Sequence, residues 1–302
     1  MDESPEPSLP WQRRPAVGRG MIVAAALFWS LGGFFAKSPV FADWPPAARG
    51  PLFAFWRAFF AGVMLLPFVR QPRWSWRLVP LCGTFTLMTI AYLSAMALTT
   101  AANAIWLQST SPWWVLIFGL VVLRERPTRA DLLPLLCGGA GIVLILWNES
   151  QGQQQLGVAL GLLSGMTYAG VVVMLRLLRD MNSAWLITVS HLVAALVFLP
   201  YVIYLDLWPN PAQLATLAAF GTVQMAIPYT LFSRGLQSVP ALEASAIGLL
   251  EPLLLPIWVL LAWGENAAWW TWLGGGLIFV GLAIRYVRTT VRTPPAQSSP
   301  AR

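Results

Sequence analysis

The stretch Ile247–Trp258, IGLLEPLLLPIW, places one carboxylate, Glu251, inside an otherwise apolar run. With its flanks the run extends over residues 241–263, and about 20 mostly apolar residues suffice for a helix to cross the hydrocarbon core of a bilayer. A charged carboxylate at the centre of such a helix costs about 2.5–3.5 kcal/mol, so these residues usually face a bundle interior or a watery cavity. Glu251 is therefore a candidate for lining a cavity. A protonated, hydrogen-bonded structural glutamate is the alternative.

Proline follows the carboxylate directly and predicts a break in the helix. Pro252 has no N–H, so the carbonyl of Gly248, four residues earlier, loses its helical partner. A backbone carbonyl without its helical hydrogen bond, one turn from a carboxylate, gives the apolar helix a local polar site. Pro112 is a second helix-breaking proline, inside the apolar segment 101–123.

The whole chain has the composition of a membrane protein. Of its 302 residues 57% are hydrophobic and only 10% charged, whereas soluble domains carry about 25% charged residues. Ten segments are long and apolar enough to be membrane helices, and turn-forming or charged residues separate them. The segments are 20–37, 51–70, 77–98, 101–123, 130–147, 155–176, 184–206, 212–234, 241–263 and 269–288. The sequence therefore predicts an all-α membrane protein with ten transmembrane helices.

The basic residues give the chain an orientation. If residue 1 lies in the cytoplasm, 16 of the 19 Lys and Arg residues fall in cytoplasmic segments; Lys37 and Arg49 fall outside, and Arg57 lies within a span. By the positive-inside rule we expect a multi-pass protein of the cell (inner) membrane with both termini cytoplasmic. The net charge of +7 then reports insertion into a lipid bilayer, and we expect no nucleic acid as partner. A cleaved signal peptide over the first span is the alternative, but a later segment mirrors that span and favours an uncleaved helix.

The two halves of the chain resemble each other at an offset of about 140 residues. Residues 101–144 align with 241–284 without a gap, and this alignment pairs Pro112 with Pro252 and Glu125 with Glu265. We therefore predict two five-helix units, residues 20–147 and 155–288, between disordered tails at 1–19 and 289–302. Because five is odd, the second unit enters the membrane from the opposite side, and inverted repeats are typical of secondary transporters. We interpret Glu125 and Glu265 as helix-end or gate-loop charges rather than ligands.

Several motifs, in this order, resemble a known family. A mid-helix proline followed by a glutamate thirteen residues later occurs in SPWWVLIFGLVVLRERPT (111–128) and again in EPLLLPIWVLLAWGEN (251–266). ALFWSLGGFFAK (26–37) and FWRAFFAG (55–62) stand nearer the start. With these motifs the chain resembles the EamA family of the drug/metabolite transporter superfamily over about residues 20–288. The resemblance implies ten helices in two inverted units that carry small metabolites, often exporting amino acids or similar solutes.

Arg57 and His191 join Glu251 as titratable side chains within predicted spans. Arg57 is a candidate for attracting a substrate carboxylate or for pairing with Glu251; the alternative is a side chain that snorkels to the outer surface. His191 is a candidate for proton coupling, since histidine titrates near neutral pH. A neutral histidine that only contacts neighbouring helices is the alternative.

Uncharged polar and aromatic residues complete the candidate cavity. Gln108 and Gln224 are mid-span amides able to bind a solute or each other. Trp29, Tyr92 and Tyr168 are candidates for the walls of an aromatic-tolerant pocket. Interhelical hydrogen bonds contribute only about 0.6 kcal/mol in membranes, so a packing role is an equal alternative for each amide.

The sequence supports other classes of function less well than a transporter. The sequence has no HExxH, P-loop or CxxC spacing, so we expect no metal and no cofactor, and energy must come from a gradient or a partner protein. The main alternative to a transporter is an intramembrane enzyme acting on a lipid-linked substrate, with Glu251 and His191 as its catalytic pair. A channel is disfavoured, because no ring of polar residues lines one path. We expect a small-molecule substrate, a monomer or homodimer, and no enzymatic activity.

Overall fold

The fold is that of an all-helical membrane protein. A computed structural model describes residues 15–118, 132–149, 154–178, 180–235, 238–239, 244 and 247–292, and these residues contain helices and turns but no strand. Six helical segments among them are long and apolar enough to cross a membrane, and three shorter apolar helices accompany them. The helical membrane fold is thus confirmed. The count of ten spans stays a prediction, and residues 119–131 of the predicted fourth and fifth spans lie outside the described residues.

The first half of the chain supplies seven of the described helices. These are α1 (Pro15–Ser30), α2 (Gly32–Ala36), α3 (Pro46–Leu65), α4 (Leu78–Leu98), α5 (Ala101–Gln108), α6 (Ser111–Phe118) and α7 (Leu132–Glu149). The second half supplies α8 (Gln155–Leu177), α9 (Ser183–Leu205), α10 (Pro211–Gly221), α11 (Ile227–Gly235), α12 (Leu250–Trp263) and α13 (Trp269–Arg292). A π-helical turn, Thr222–Ala226, joins α10 to α11 without a break.

Polar residues between the apolar segments fix where the helices begin. The Thr100 hydroxyl accepts a hydrogen bond from the Asn103 N–H at the start of α5. Asn210 and Gln213 form a capping box at the start of α10, each side chain accepting from the other residue's N–H. Such caps satisfy N–H groups that have no partner within the helix. Gly264, in the left-handed conformation with φ of 68°, ends α12 and turns the chain into the next loop.

The two halves of the chain are packed into each other. The closest helix pairs are α1 with α11, α3 with α9, α4 with α8 and α7 with α13. Each pair joins a helix that ends before residue 150 to one that begins after residue 154. Where α7 meets α13, a Cβ added to Gly141 would collide with the carbonyl oxygen of Gly274, so these glycines let two backbones touch. Glycines commonly provide such close helix approach in membranes.

The exposed helix faces are as apolar as the interior. Leu196 on α9 is 68% exposed and Leu261 on α12 is 72% exposed, as suits side chains in contact with lipid tails. The interior is filled by large buried side chains such as Phe53, Trp106 and Phe220. Among the buried polar residues of this interior, Arg57, Ser111 and Gln224 line one cavity.

Candidate functional site

The fourth predicted span is broken in the middle. Helix α5 ends at Gln108 and α6 begins at Ser111. The Ser109 and Thr110 hydroxyls donate to the carbonyls of Ile105 and Leu107 at 2.7 and 2.6 Å, and such side-chain bonds compete with the helical ladder. Pro112 lies in the first turn of α6 rather than inside a kinked helix.

The ninth predicted span is broken at the equivalent place. Ala244, Ile247 and Gly248 are helical, Leu249 forms a turn, and α12 begins at Leu250. Pro252 therefore sits in the first turn of α12, where a missing N–H leaves no helical bond unmade. Glu251, which we expected near the middle of the ninth span, therefore lies in the first turn of a helix. The positive end of the helix dipole favours a negative carboxylate there.

A cavity of about 340 Å³ lies between these two breaks. Of the ten residues that the sequence singled out, eight line it: Trp29, Arg57, Tyr92, Gln108, Tyr168, Gln224, Glu251 and Pro252. Further lining residues include Met88, Ile105, Ser109, Ser111, Val171, Leu175, Met225, Tyr229, Phe232, Gly248, Leu249 and Leu282. The cavity thus combines an apolar and aromatic wall with a cation, a carboxylate and two amides.

Arg57 is held in the bundle interior by weak contacts. Its side chain is 2% exposed, so it does not reach the surface as a snorkelling arginine would. The guanidinium lies 5.3 Å from the centre of the Phe220 ring, and Nη1 donates to Gln224 Oε1 over a long 3.4 Å. Nε is buried without a hydrogen-bond partner among the described residues. Arg57 therefore keeps unused donor capacity beside the cavity.

Gln224 connects three elements at the cavity wall. It stands on the π-helical turn, accepts from Arg57 on α3, and donates through Nε2 to the Trp29 carbonyl at 3.2 Å. That carbonyl lies next to the interruption between α1 and α2 at Leu31. A π-turn often marks a functional position in a helix. The two mid-span amides that the sequence identified line the same cavity, but Gln224 is bonded to Arg57 and Trp29 rather than to Gln108.

Glu251 and the Tyr92 hydroxyl are also left without hydrogen bonds. The Glu251 carboxylate is half-buried and accepts none from any described residue. The Tyr92 hydroxyl is buried and equally unpartnered among the described residues. Arg57 and Glu251 attract each other electrostatically across the site but form no ion pair within 4 Å. Buried polar groups normally have hydrogen-bond partners, so several donors and acceptors without partners on one cavity indicate a binding site.

Aromatic rings form one side of the cavity. The Trp29 ring meets Tyr229 edge-on at 5.3 Å between centroids and Phe232 at 5.2 Å. Met225, Tyr229 and Phe232 follow each other at helical spacing from the π-turn into α11. Tyr229 and Phe232 were not predicted from the sequence, because the π-turn at Gln224 changes the helical phase of α11.

One predicted residue, His191, is not among the cavity-lining residues that the structure describes. His191 is 1% exposed and its Nδ1 lies 2.9 Å from the Ile187 carbonyl oxygen, which can only accept, so Nδ1 carries the proton. The His191 ring packs against Phe85 at 4.7 Å and against Tyr229 at 6.0 Å. His191 is thus placed behind the aromatic wall, as the helix-contact alternative expected. The side chain of Pro112 lies outside the described residues, whereas Ser111, directly before it, lines the cavity.

The cavity-lining residues extend further toward one end of the helix bundle than toward the other. We call the end that carries Lys37, Thr99 and Gly264 the Gly264 end. Leu175 lies 20 residues into α8 from this end, about 30 Å along the helix axis. Leu282 lies 13 residues into α13, about 20 Å from the same end. The lining therefore reaches far toward the opposite end.

Comparisons with known proteins agree with this architecture. Residues 17–147 and, separately, 155–287 match the EamA-like transporter family. A protein described as an uncharacterized transporter of Archaeoglobus fulgidus is 29% identical over 235 residues, 77% of this chain and 85% of that protein. The uncharacterized transporter YwfM of Bacillus subtilis is 25% identical over 282 residues, 87% of this chain and 91% of that protein.

A solved crystal structure shares the fold. It aligns with a TM-score of 0.65 at 18% identity, covering 92% of this chain and 98% of that one. At this identity the likeness concerns the fold alone. Taken with the family match over both halves of the sequence, it leads to one conclusion: the chain belongs to the EamA-like transporter family.

Proposed function

We propose that this protein is a secondary transporter of small zwitterionic metabolites, such as amino acids or related solutes, and that it works as an exporter or permease. The observation that carries the proposal is a set of polar groups on one cavity that have no hydrogen-bond partner among the described residues: Arg57 Nε, the Tyr92 hydroxyl and the Glu251 carboxylate. Arg57 offers donors to a carboxylate, and Glu251 offers an acceptor to an ammonium group. The aromatic wall of Trp29 and Tyr229 accommodates the remainder of the solute.

The size of the cavity suits a small solute. Its volume of about 340 Å³ lies near the lower end of the range for ligand pockets, roughly 300–1,000 Å³. The broken helices support the same proposal, because discontinuous helices that meet at mid-membrane form the solute sites of many transporters. Two helix breaks, at Ser109–Thr110 and at Leu249, border this cavity.

Alternating access between two inverted repeats is the mechanism we propose. The packing supports it: under the offset of about 140 residues α1 corresponds to α8, and α4 corresponds to α10 and α11. The pair of α1 with α11 is therefore the counterpart of the pair of α4 with α8, and both are close. Two helix pairs related in this way can exchange their packing arrangements, which gives one arrangement for each access state. With the termini cytoplasmic, as we propose from the charge bias, the Gly264 end faces outward and the cavity extends inward.

The enzyme alternative has little support. The family consists of transporters. A lipid-directed reaction would also need Glu251 and His191 at one site, and His191 does not line the cavity. Its Nδ1–H is already committed to the carbonyl of its own helix.

Counter-flow in proteoliposomes tests the proposal. Vesicles loaded with an unlabelled amino acid should transiently concentrate the labelled form from outside, which a carrier does and a channel does not. A thermal-shift screen of amino acids, amines and carboxylates should first select the solute. Absence of counter-flow for every solute that raises the melting temperature would refute a carrier function.

Two analogues of that solute test the roles of the charges separately. The N-acetyl analogue lacks the ammonium group and should be rejected by the wild type, but less strongly by Glu251→Gln. The methyl ester lacks the carboxylate and should be rejected less strongly by Arg57→Met. If the wild type and both variants reject the two analogues equally, Arg57 and Glu251 do not recognise the carboxylate and the ammonium group.

A further inference from the structure

A cluster of short polar contacts joins the two halves of the chain at the Gly264 end. Lys37 Nζ lies 2.7 Å from Glu265 Oε2 and also donates to the Thr99 carbonyl at 2.7 Å. The other Glu265 oxygen, Oε1, accepts from the Ala101 N–H at 2.7 Å. One carboxylate from the second half is therefore held by a cation and a backbone N–H from the first half.

The geometry makes this ion pair stronger than an ordinary surface pair. Ala101 is the first residue of α5, so the carboxylate lies at the positive end of a helix and satisfies an N–H that has no partner within it. The Lys37 and Glu265 side chains are only 18% and 25% exposed, which limits screening by water and salt. All three contacts have the short length typical of charge-assisted hydrogen bonds.

A second layer of hydrogen bonds lies against the first. Asn103, which is fully buried, donates to Glu149 at 3.0 Å and to the Thr99 hydroxyl at 3.0 Å. Its side-chain oxygen accepts from Thr271 on α13 at 2.9 Å. The segment Thr99–Asn103 is thus tied to α7, α13 and the loop after α12 together.

These contacts lie between the cavity and the Gly264 end. Ile105 lines the cavity one turn after Ala101 on α5, and Trp29 lines it about two turns before Lys37 on α1 and α2. A solute that leaves the cavity through this end must separate the segments that Lys37, Ala101 and Glu265 hold together. The loop that carries Glu265 begins at Gly264, whose left-handed conformation makes a turn there.

We infer that Lys37, Glu265 and the Ala101 N–H form a latch that keeps the Gly264 end closed, and that this latch must open once in every transport cycle. The inference rests on the alternating access proposed above. It assigns Glu265, whose charge no solute contact requires, the role of setting the ratio between the two access states. Weakening the latch should therefore shift that ratio without affecting the cavity.

Thiol labelling of a cavity reporter tests the latch without knowledge of the solute. The reporter is Ser109→Cys, a conservative change on the lining, in full-length protein whose native cysteines are replaced by Cys82→Ala and Cys137→Ala. A membrane-impermeant reagent is applied to intact cells and to inside-out vesicles. Asn266→Cys, an exposed position in the Glu265 loop, identifies which of these preparations presents the Gly264 end.

Two variants open the latch in different ways. Glu265→Gln keeps the size of the side chain and an oxygen for the Ala101 N–H but loses the ion pair. Lys37→Met keeps the length of the side chain but loses the ion pair and the bond to Thr99. For each we expect labelling of the reporter from the Gly264 end to rise about tenfold, the effect of losing one partly buried charge-assisted bond.

The matched control is Asp206→Asn. It removes a carboxylate from a loop at the same end, where Asp206 accepts a hydrogen bond only from nearby Trp208 among the described residues. The double change Lys37→Glu with Glu265→Lys restores the ion pair but not the acceptor for Ala101, so it should recover part of the slow labelling. A general loosening of the fold would not be repaired in this way.

Three outcomes separate the two hypotheses. Faster labelling in both latch variants, with Asp206→Asn at the parent rate, supports the latch. Unchanged labelling in both latch variants, in protein that still performs counter-flow, overturns the latch and leaves the transporter proposal standing. A reporter that no reagent reaches from either face, in protein without counter-flow, overturns the alternating access on which the latch depends.

Discussion

Replacing Arg57 by methionine should abolish transport while leaving the protein at least as stable as before. The guanidinium is almost fully buried, and the effective cost of burying one charge is several kcal/mol. Its hydrogen bond to Gln224, the only one with a described residue, is 3.4 Å long, at the edge of the useful range, and contributes at most about 1 kcal/mol. The contact with Phe220, 5.3 Å from the ring centre, adds about 1–2 kcal/mol. These contacts do not offset the cost of burial.

Binding of solute should change in the opposite direction. A desolvated guanidinium that donates two hydrogen bonds to a carboxylate contributes about 3 kcal/mol, or roughly a hundredfold in affinity. Arg57→Met loses all of this. Arg57→Lys keeps the charge but not the planar fork, so we expect an intermediate loss of about tenfold. The two variants therefore separate the contribution of charge from that of geometry.

Melting and transport measured on the same preparations provide the test. Melting is followed by the intrinsic fluorescence of the 17 tryptophans, and affinity by the concentration dependence of counter-flow. We expect the melting temperature of Arg57→Met to be unchanged or raised and its counter-flow to be lost. A melting temperature lowered by several degrees would mean that Arg57 is structural. Normal counter-flow in folded Arg57→Met would exclude it from the solute path.

Three further changes address other parts of the molecule. Glu251→Gln should insert normally but lose transport or its dependence on pH between about 5 and 8, whereas wild-type behaviour would make the glutamate a packing residue. Cysteines at the exposed positions Asn266 and Trp76 should be labelled from opposite faces of the membrane, Asn266→Cys in intact cells, and labelling of both from one face would contradict the topology. Gly141→Ala should lower the melting temperature because its Cβ collides with the facing helix, at a cost of about 1–3 kcal/mol. Gly139→Ala, whose Cβ meets nothing within 4 Å, should be neutral or stabilising, and equal effects of the two alanines would refute the close contact.

Much of the candidate site could be predicted from the sequence because a membrane leaves few places for polar side chains. Arg57, Gln224 and Glu251 are costly in contact with lipid, so their presence within apolar spans already indicated the interior of the bundle. His191, by contrast, does not line the cavity that the described residues form. A histidine that donates to a carbonyl one turn earlier on its own helix satisfies half of its polar capacity locally, and no sequence pattern separates that case from a cavity-facing one.

Aromatic residues of the cavity wall are harder to predict from the sequence than its polar residues. Tyr229 and Phe232 contribute to the cavity wall, yet in a chain with 13% aromatic residues they carry no signal of their own. Their assignment depends on the helical phase at Gln224, which includes a π-turn. A π-turn inserts one extra residue into the helix and rotates everything after it, so the phase of α11 required the structure.

The position of Glu251 follows from the break that Pro252 predicts, but its consequence is different from that of a charge in mid-helix. Glu251 lies in the first turn of α12, at the positive end of the helix dipole. Ser111 occupies the equivalent position, one residue before the proline, at the start of α6. The two half-helices therefore present unlike groups to one cavity, an anion from the second half and a neutral hydroxyl from the first. An inverted pair of repeats that were chemically identical would bind a solute equally in two orientations. For the zwitterionic solute proposed above, the exchange of serine for glutamate at this position, on the same cavity as Arg57, predicts one favoured orientation.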